Sequence, residues 1–129
     1  MKQRRTVFII DDNTDDREII QKAVADIDSR AKCYGYSNSL TALRRLYEVT
    51  PKPSIIFVDL RMPLIGHRNW LQLFQSDPLL KSIPVIGCGG NLPGSDLNGN
   101  PRGHAYELIP KPLPAIILKE TLMDLWRTN

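Results

Sequence analysis

The chain has little cysteine, no long apolar run and no block of like charge, and each shortage excludes something. Two cysteines, Cys33 and Cys88, are too few for a disulfide framework. The apolar stretch after Met1-Lys2-Gln3-Arg4-Arg5 stops at Asp11, well short of the apolar core of a signal peptide. Both features predict a reducing, cytoplasmic setting. Nowhere do 18 consecutive apolar residues occur, so no membrane span is predicted. Lys and Arg number 17 against 14 Asp and Glu, a net charge of +3 with the two signs interspersed. Such a mild, scattered surplus predicts no nucleic-acid partner and excludes disorder as the global state. What is present, 42% hydrophobic residues in a chain of 129, is enough for the core of one domain spanning residues 1–129.

Short apolar runs alternate with amphipathic segments, the pattern of βα units around a parallel sheet. Val7-Phe8-Ile9-Ile10 reads as a strand buried on both faces and runs into Asp11-Asp12. Asn13 or Thr14 then caps a helix whose first turn holds Asp15 and Asp16, and whose apolar stripe is Ile19, Ile20, Ala23, Val24 and Ile27. Lys32 to Tyr36 is a weaker strand, interrupted by Gly35. Ser39 is expected to cap a second helix with Leu40, Leu43, Leu46 and Tyr47 inward, stopping before Pro51. Ser54 to Val58 is the strongest strand and ends in Asp59. A third helix is predicted from about Arg68 to Gln75, with Trp70, Leu71 and Phe74 inward. Strands follow over Ile83 to Cys88 and Ala105 to Ile109, the latter at an edge because Pro110 closes it. The last helix begins after Pro114 and carries Ile116, Ile117, Leu122, Leu125 and Trp126.

Between the fourth and fifth strands the helical pattern fails. Gly89 to His104 contains five of the eight glycines and two of the ten prolines, including Pro93-Gly94 and Asn98-Gly99. Each such Gly costs a helix about 1 kcal/mol and an interior Pro about 3. Leu92 and Leu97 are too few to offset that, so a loop is expected in place of a helix.

In an open parallel sheet, ligands sit beyond the carboxyl ends of the strands. Asp11, Asp12 and Asp59 all stand at such ends. If their strands are neighbours, three carboxylates converge, and like charges that close either raise one another's pKa or hold a cation. Hard oxygen donors of this kind suit Mg²⁺. Lys111, at the end of the fifth strand, supplies a positive charge nearby.

These motifs resemble the receiver domain of two-component response regulators. The resemblance rests on Val7-Phe8-Ile9-Ile10-Asp11-Asp12, Val58-Asp59-Leu60-Arg61-Met62-Pro63, Ile83-Pro84-Val85-Ile86 and Lys111-Pro112. It implies a flavodoxin-like (βα)5 receiver fold, an α/β architecture with a parallel five-stranded sheet of order 2-1-3-4-5. It also implies that Asp59 accepts a phosphoryl group from a sensor histidine kinase or histidine phosphotransfer protein. Asp12 would bind Mg²⁺ directly and Asp11 largely through water, with Asp59 and the backbone carbonyl of Arg61 completing the protein ligands. Lys111 would pair with the phosphoryl oxygen, on a Lys111-Pro112 bond that is usually cis in the family. Such a domain assists its own phosphorylation but is not a conventional enzyme.

Three positions depart from the family pattern. Gly89 stands where a Thr or Ser hydroxyl is usual, although its N–H remains a possible donor to the phosphoryl group. Leu108 stands where the fifth strand usually carries an aromatic, with Tyr106 displaced along the strand. Gly66-His67 replaces an Asp-Gly pair. The acceptor chemistry is therefore complete while the usual readout is missing, and output is expected through contact with a downstream protein. The alternative is a pseudo-receiver, an interaction module that signals without phosphorylation. A phosphatase with a strand-terminal Asp nucleophile is disfavoured, because Arg61 stands where such enzymes carry a second Asp. The remaining singular residues read as structural: His67 and His104 at the surface, Cys33 and Cys88 as small buried hydrophobes, Trp70 and Trp126 as core anchors. Lys2, Arg4 and Arg5 read as a solvated lead-in to the first strand, and Arg44-Arg45 as the exposed face of the second helix.

Overall fold

A computed structural model describes residues 4–64, 70–89 and 106–127. Strands β1 (Thr6–Ile10), β2 (Lys32–Tyr36), β3 (Ile55–Asp59), β4 (Val85–Cys88) and β5 (Tyr106–Ile109) form one parallel sheet in the order β2-β1-β3-β4-β5. The described residues also form helices α1 (Thr14–Ile27), α2 (Ser39–Glu48), α3 (Trp70–Ser76) and α4 (Ala115–Arg127). The expected loop over 89–104 lies outside the described residues beyond Gly89, as do His67, His104 and the predicted start of the third helix at Arg68.

Strand alternation explains why the central strands are apolar throughout. Val7 and Ile9 point to the face covered by α1 and α4, while Phe8 and Ile10 point to the face covered by α2 and α3. Every residue of β3 and β4 is buried. The first core layer joins Ile20 and Val24 of α1 to Leu118, Leu122 and Trp126 of α4. The second joins Ala42 and Leu46 of α2 to Trp70 and Phe74 of α3. Burying one Ile, Leu or Phe side chain contributes roughly 1.5–3 kcal/mol, so these two layers hold the strand ends in register.

Several local expectations are corrected. The N-cap of α2 is Asn38, whose Oδ1 accepts from Thr41 N, and Ser39 is the first helical residue. Leu40, Tyr47, Ile19, Ile116 and Ile117 are exposed, with Ile116 at 70%. Each lies one or two residues from the true stripe, about 100° or 200° around its helix, and a helix on a flat sheet buries only a narrow band. The β4 ladder begins at Val85, because Ile83 N instead closes a turn onto Leu80 O. Arg5 is no solvated lead-in: its guanidinium lies 4.5 Å from the centroid of the Trp126 ring and pairs with Asp28 at 3.0 Å. Cys88 is fully buried and Cys33 half-buried, both as free thiols.

Candidate functional site

Adjacent pairing of β1 and β3 sets Ile10 beside Val58, so Asp11 and Asp12 emerge next to Asp59. One carboxylate oxygen from each of the three lies within 4.8 Å of the others. Asp11 and Asp59 are buried, at 1% and 5% exposure, whereas Asp12 faces solvent. Leaving two carboxylates in so dry a place requires compensation.

Most of that compensation comes from Lys111. Its Nζ lies 2.9 Å from Asp11 Oδ2, 3.1 Å from Asp59 Oδ2 and 2.7 Å from Asp16 Oδ2. Burial lowers the lysine's pKa, but hydrogen bonds to Asp16, Asp11 and Asp59 outweigh it and hold the ammonium charged. The opposite oxygens are held by the backbone: Asn13 N donates to Asp11 Oδ1 and Arg61 N to Asp59 Oδ1, both at 2.9 Å. Each buried carboxylate therefore has one oxygen fixed by a turn and one turned to the lysine. Burial still raises the Asp11 pKa, with Lys111 and the Asn13 N–H opposing it. Cys88, paired with Asp59 in the ladder, has its thiol pushed up to about 12 by burial and by the neighbouring Asp11 charge. It is a neutral packing group and not a nucleophile.

Two further participants escape the sequence reading. Asp16 reads there only as a complement to the α1 dipole, yet it is the shortest ion-pair partner of Lys111. Arg17 donates from Nη1 to the Asp11 carbonyl at 2.7 Å and lies against Gly35 of β2, tying the turn after β1 to the edge strand. The Asn13 cap anchors both residues: Asp16 N donates to Asn13 Oδ1 and Arg17 N to the Asn13 carbonyl. The sequence shows the acids at 15 and 16 but not which of them faces inward.

The positions that depart from the family pattern have definite structural roles. Gly89 adopts φ +68°, and a Cβ there would stand 3.2 Å from Lys111 Cδ. Its N–H does not serve as a spare donor, because it is bonded to Ile109 O at 2.9 Å. Leu108 is half-buried in the layer with α2 and α3, and a Cβ on Gly87 would lie 3.0 Å from its Cδ2. Leu108 thus fills space that a residue other than glycine at 87 would claim. The Lys111-Pro112 bond is cis, as the resemblance implies. The Arg61 side chain is exposed, and the side chain of Tyr106 lies outside the described residues.

No family model matches the chain. A response regulatory protein of Shewanella oneidensis, itself uncharacterized, is 28% identical over 120 residues, covering 91% of this chain and 47% of the relative. The chain thus spans about half the length of that curated relative. Among solved structures, the phosphorylated cyanobacterial phytochrome response regulator RcpA superposes with a TM-score of 0.73 at 22% identity, over 98% of this chain and 97% of that one. A response regulator from Desulfuromonas acetoxidans gives 0.73 at 19% identity, over 96% and 98%. A two-component response regulator from Clostridium difficile gives 0.73 at 18%, over 96% and 97%. The chain has the receiver fold of response regulators. Within that receiver fold the Asp11, Asp12 and Asp59 cluster occupies the carboxyl end of the sheet, where doubly wound folds place their ligands. No described helix is long and apolar enough to cross a membrane.

Proposed function

We propose that residues 1–129 form a phosphoryl-accepting response regulator domain in which Asp59 is the acceptor. The observation that carries this reading is the Lys111 ammonium set between the buried oxygens of Asp11 and Asp59 beside the exposed Asp12. Asp59 Oδ1 is held by the Arg61 N–H, so Oδ2, on the lysine side, is the attacking atom. It forms a P–O bond as the P–N bond of a phosphohistidine breaks, and the electron pair leaves with the imidazole. A carboxylate needs no general base at neutral pH. Charge spread over the transferring oxygens is met by the Lys111 ammonium, which Asp16 and Asp11 hold in place.

The donor set fits Mg²⁺: three carboxylates with oxygens within 4.8 Å, two of them buried and already oriented by backbone N–H groups. Asp11, Asp12, Asp59 and the Arg61 carbonyl would hold it, and when bound it neutralises charge on the transferring oxygens. The donor is a sensor histidine kinase or histidine phosphotransfer protein in the cytoplasm, and output passes by contact with a downstream protein.

The pseudo-receiver reading has one specific support: Gly89 carries no hydroxyl and its N–H is committed to Ile109. One experiment separates the two. The chain is incubated with Mg²⁺ and acetyl phosphate and weighed by intact-mass spectrometry. A single phosphoryl adduct that needs Mg²⁺ and disappears in Asp59→Asn is expected. An adduct that persists in Asp59→Asn refutes the site, and no adduct in the parent favours the pseudo-receiver. Asp12→Ala should abolish Mg²⁺ binding measured by calorimetry; unchanged affinity would sink the metal assignment.

A further inference from the structure

The opposite end of the sheet carries a second concave site. A cleft of about 750 Å³ opens where β1, β3 and β4 begin, between Arg4, Arg5, Arg30, Lys52, Ser82 and Trp126. That volume lies within the range of small-molecule sites, roughly 300–1,000 Å³. Five-residue strands separate it from the Asp11 cluster by about 17 Å.

The charge in this cleft is one-sided. Four cationic side chains line it against a single carboxylate, Asp28, among the described residues. Asp28 is already spent: Oδ2 pairs with Arg5 and Oδ1 accepts from Arg30 N. Lys52 is anchored too, donating to the Leu46, Tyr47 and Val49 carbonyls at the end of α2, so its charge is fixed at the rim. Arg4 and Arg30 are exposed, and their guanidinium groups make no salt bridge or hydrogen bond among the described residues. The cleft also holds a neutral donor: Ser54 Oγ accepts from Thr6 N, which leaves its O–H to donate.

We propose that this cleft binds a small molecule bearing a diphosphate group. Arg4 and Arg30 present planar forks that match phosphate oxygens two at a time, while Arg5, held between Trp126 and Asp28, builds a fixed wall of the cleft. Two guanidinium groups free of hydrogen bonds and salt bridges among the described residues can each serve one phosphate. A cleft of this volume is sized for a small ligand, and the interspersed charges of the chain offer no continuous track for a nucleic-acid backbone. The site makes no use of Asp59, so its test needs no phosphorylation there.

The test is calorimetry on the full chain in EDTA, which keeps metal–phosphate complexes from the Asp11 cluster. Inorganic pyrophosphate and adenosine diphosphate are titrated separately, with a random-sequence DNA duplex as the third probe. Saturable one-to-one binding of both small ligands is expected, weakened at least tenfold in Arg30→Glu and in Arg4→Glu, with melting curves confirming that both variants fold. Equal affinities assign recognition to the diphosphate alone, and tighter binding of the nucleotide adds a contact to the nucleoside. No saturable binding at millimolar ligand, affinities unmoved by either substitution, or preference for the duplex over both small ligands overturns the proposal.

Discussion

Replacing Lys111 with Met removes one charge and keeps most of the stem, so it isolates what the ammonium does. In the parent, Lys111 is 15% exposed and faces Asp11 and Asp59 side chains that are 1% and 7% exposed. Removing one partner of a buried ion pair costs about 3–5 kcal/mol, because the remaining charge stays desolvated. The lower end, about 3 kcal/mol, is expected here, since Lys111 keeps some solvent and Asp16, at 18%, can turn outward. For a domain of this size that corresponds to a fall in melting temperature of about 10 °C. Urea denaturation in EDTA, followed by the fluorescence of buried Trp70 and Trp126, measures it. Added Mg²⁺ should then raise the melting temperature of Lys111→Met more than that of the parent, because a cation at Asp11, Asp12 and Asp59 replaces the missing charge. A variant as stable as the parent in EDTA would refute the view that Lys111 compensates the buried carboxylates. Equal Mg²⁺ stabilisation of both would show that metal and lysine do not share the same charges.

Gly89→Thr, which restores the family hydroxyl, should destabilise by about 1–3 kcal/mol, since a β-branched residue must take φ +68° with its Cβ 3.2 Å from Lys111 Cδ; chemical denaturation checks it, and an unchanged midpoint contradicts the strain. Gly87→Val should cost about 1–3 kcal/mol, because its Cβ would stand 2.8 Å from Leu60 Cδ1 and 3.0 Å from Leu108 Cδ2. Pairing it with Leu108→Ala should recover part of that loss in a double-mutant cycle. Burial raises the Asp28 pKa, but hydrogen bonds from Arg30 N and Arg5 outweigh it and hold the carboxyl below its ordinary 3.8. Its contribution to stability is therefore present above about pH 4 and is lost as the pH falls through the lower folded value. Asp28→Asn should accordingly be less stable than the parent at pH 6 and indistinguishable in stronger acid; a gap that widens on acidification would contradict the sign.

The alternation of apolar runs with amphipathic stretches was enough to determine a parallel sheet, because a strand buried on both faces must read as continuous Val, Ile and Phe. Asp11, Asp12, Asp59 and Lys111 were legible for a related reason: each follows directly on an apolar strand, and strand ends are where a doubly wound sheet gathers polar groups. Which face of each helix turns inward was not legible in the same way. Leu40, Ile116 and Ile117 are as apolar as Leu46 and Leu118, and only the seating of α2 and α4 on the sheet decides which are buried. The role of Asp16 depended on the rotation of α1 about its Asn13 cap, and an acidic first turn satisfies the helix dipole whichever carboxylate faces the lysine. The Gly89 N–H, a free donor as far as the sequence goes, became part of the ladder once β5 lay beside β4. Arg5 on Trp126 joins the two ends of the chain, a contact between residues 121 positions apart that no local pattern encodes. Local composition specifies what a segment can bury, whereas the partners of a charged group are specified only when distant segments are brought together.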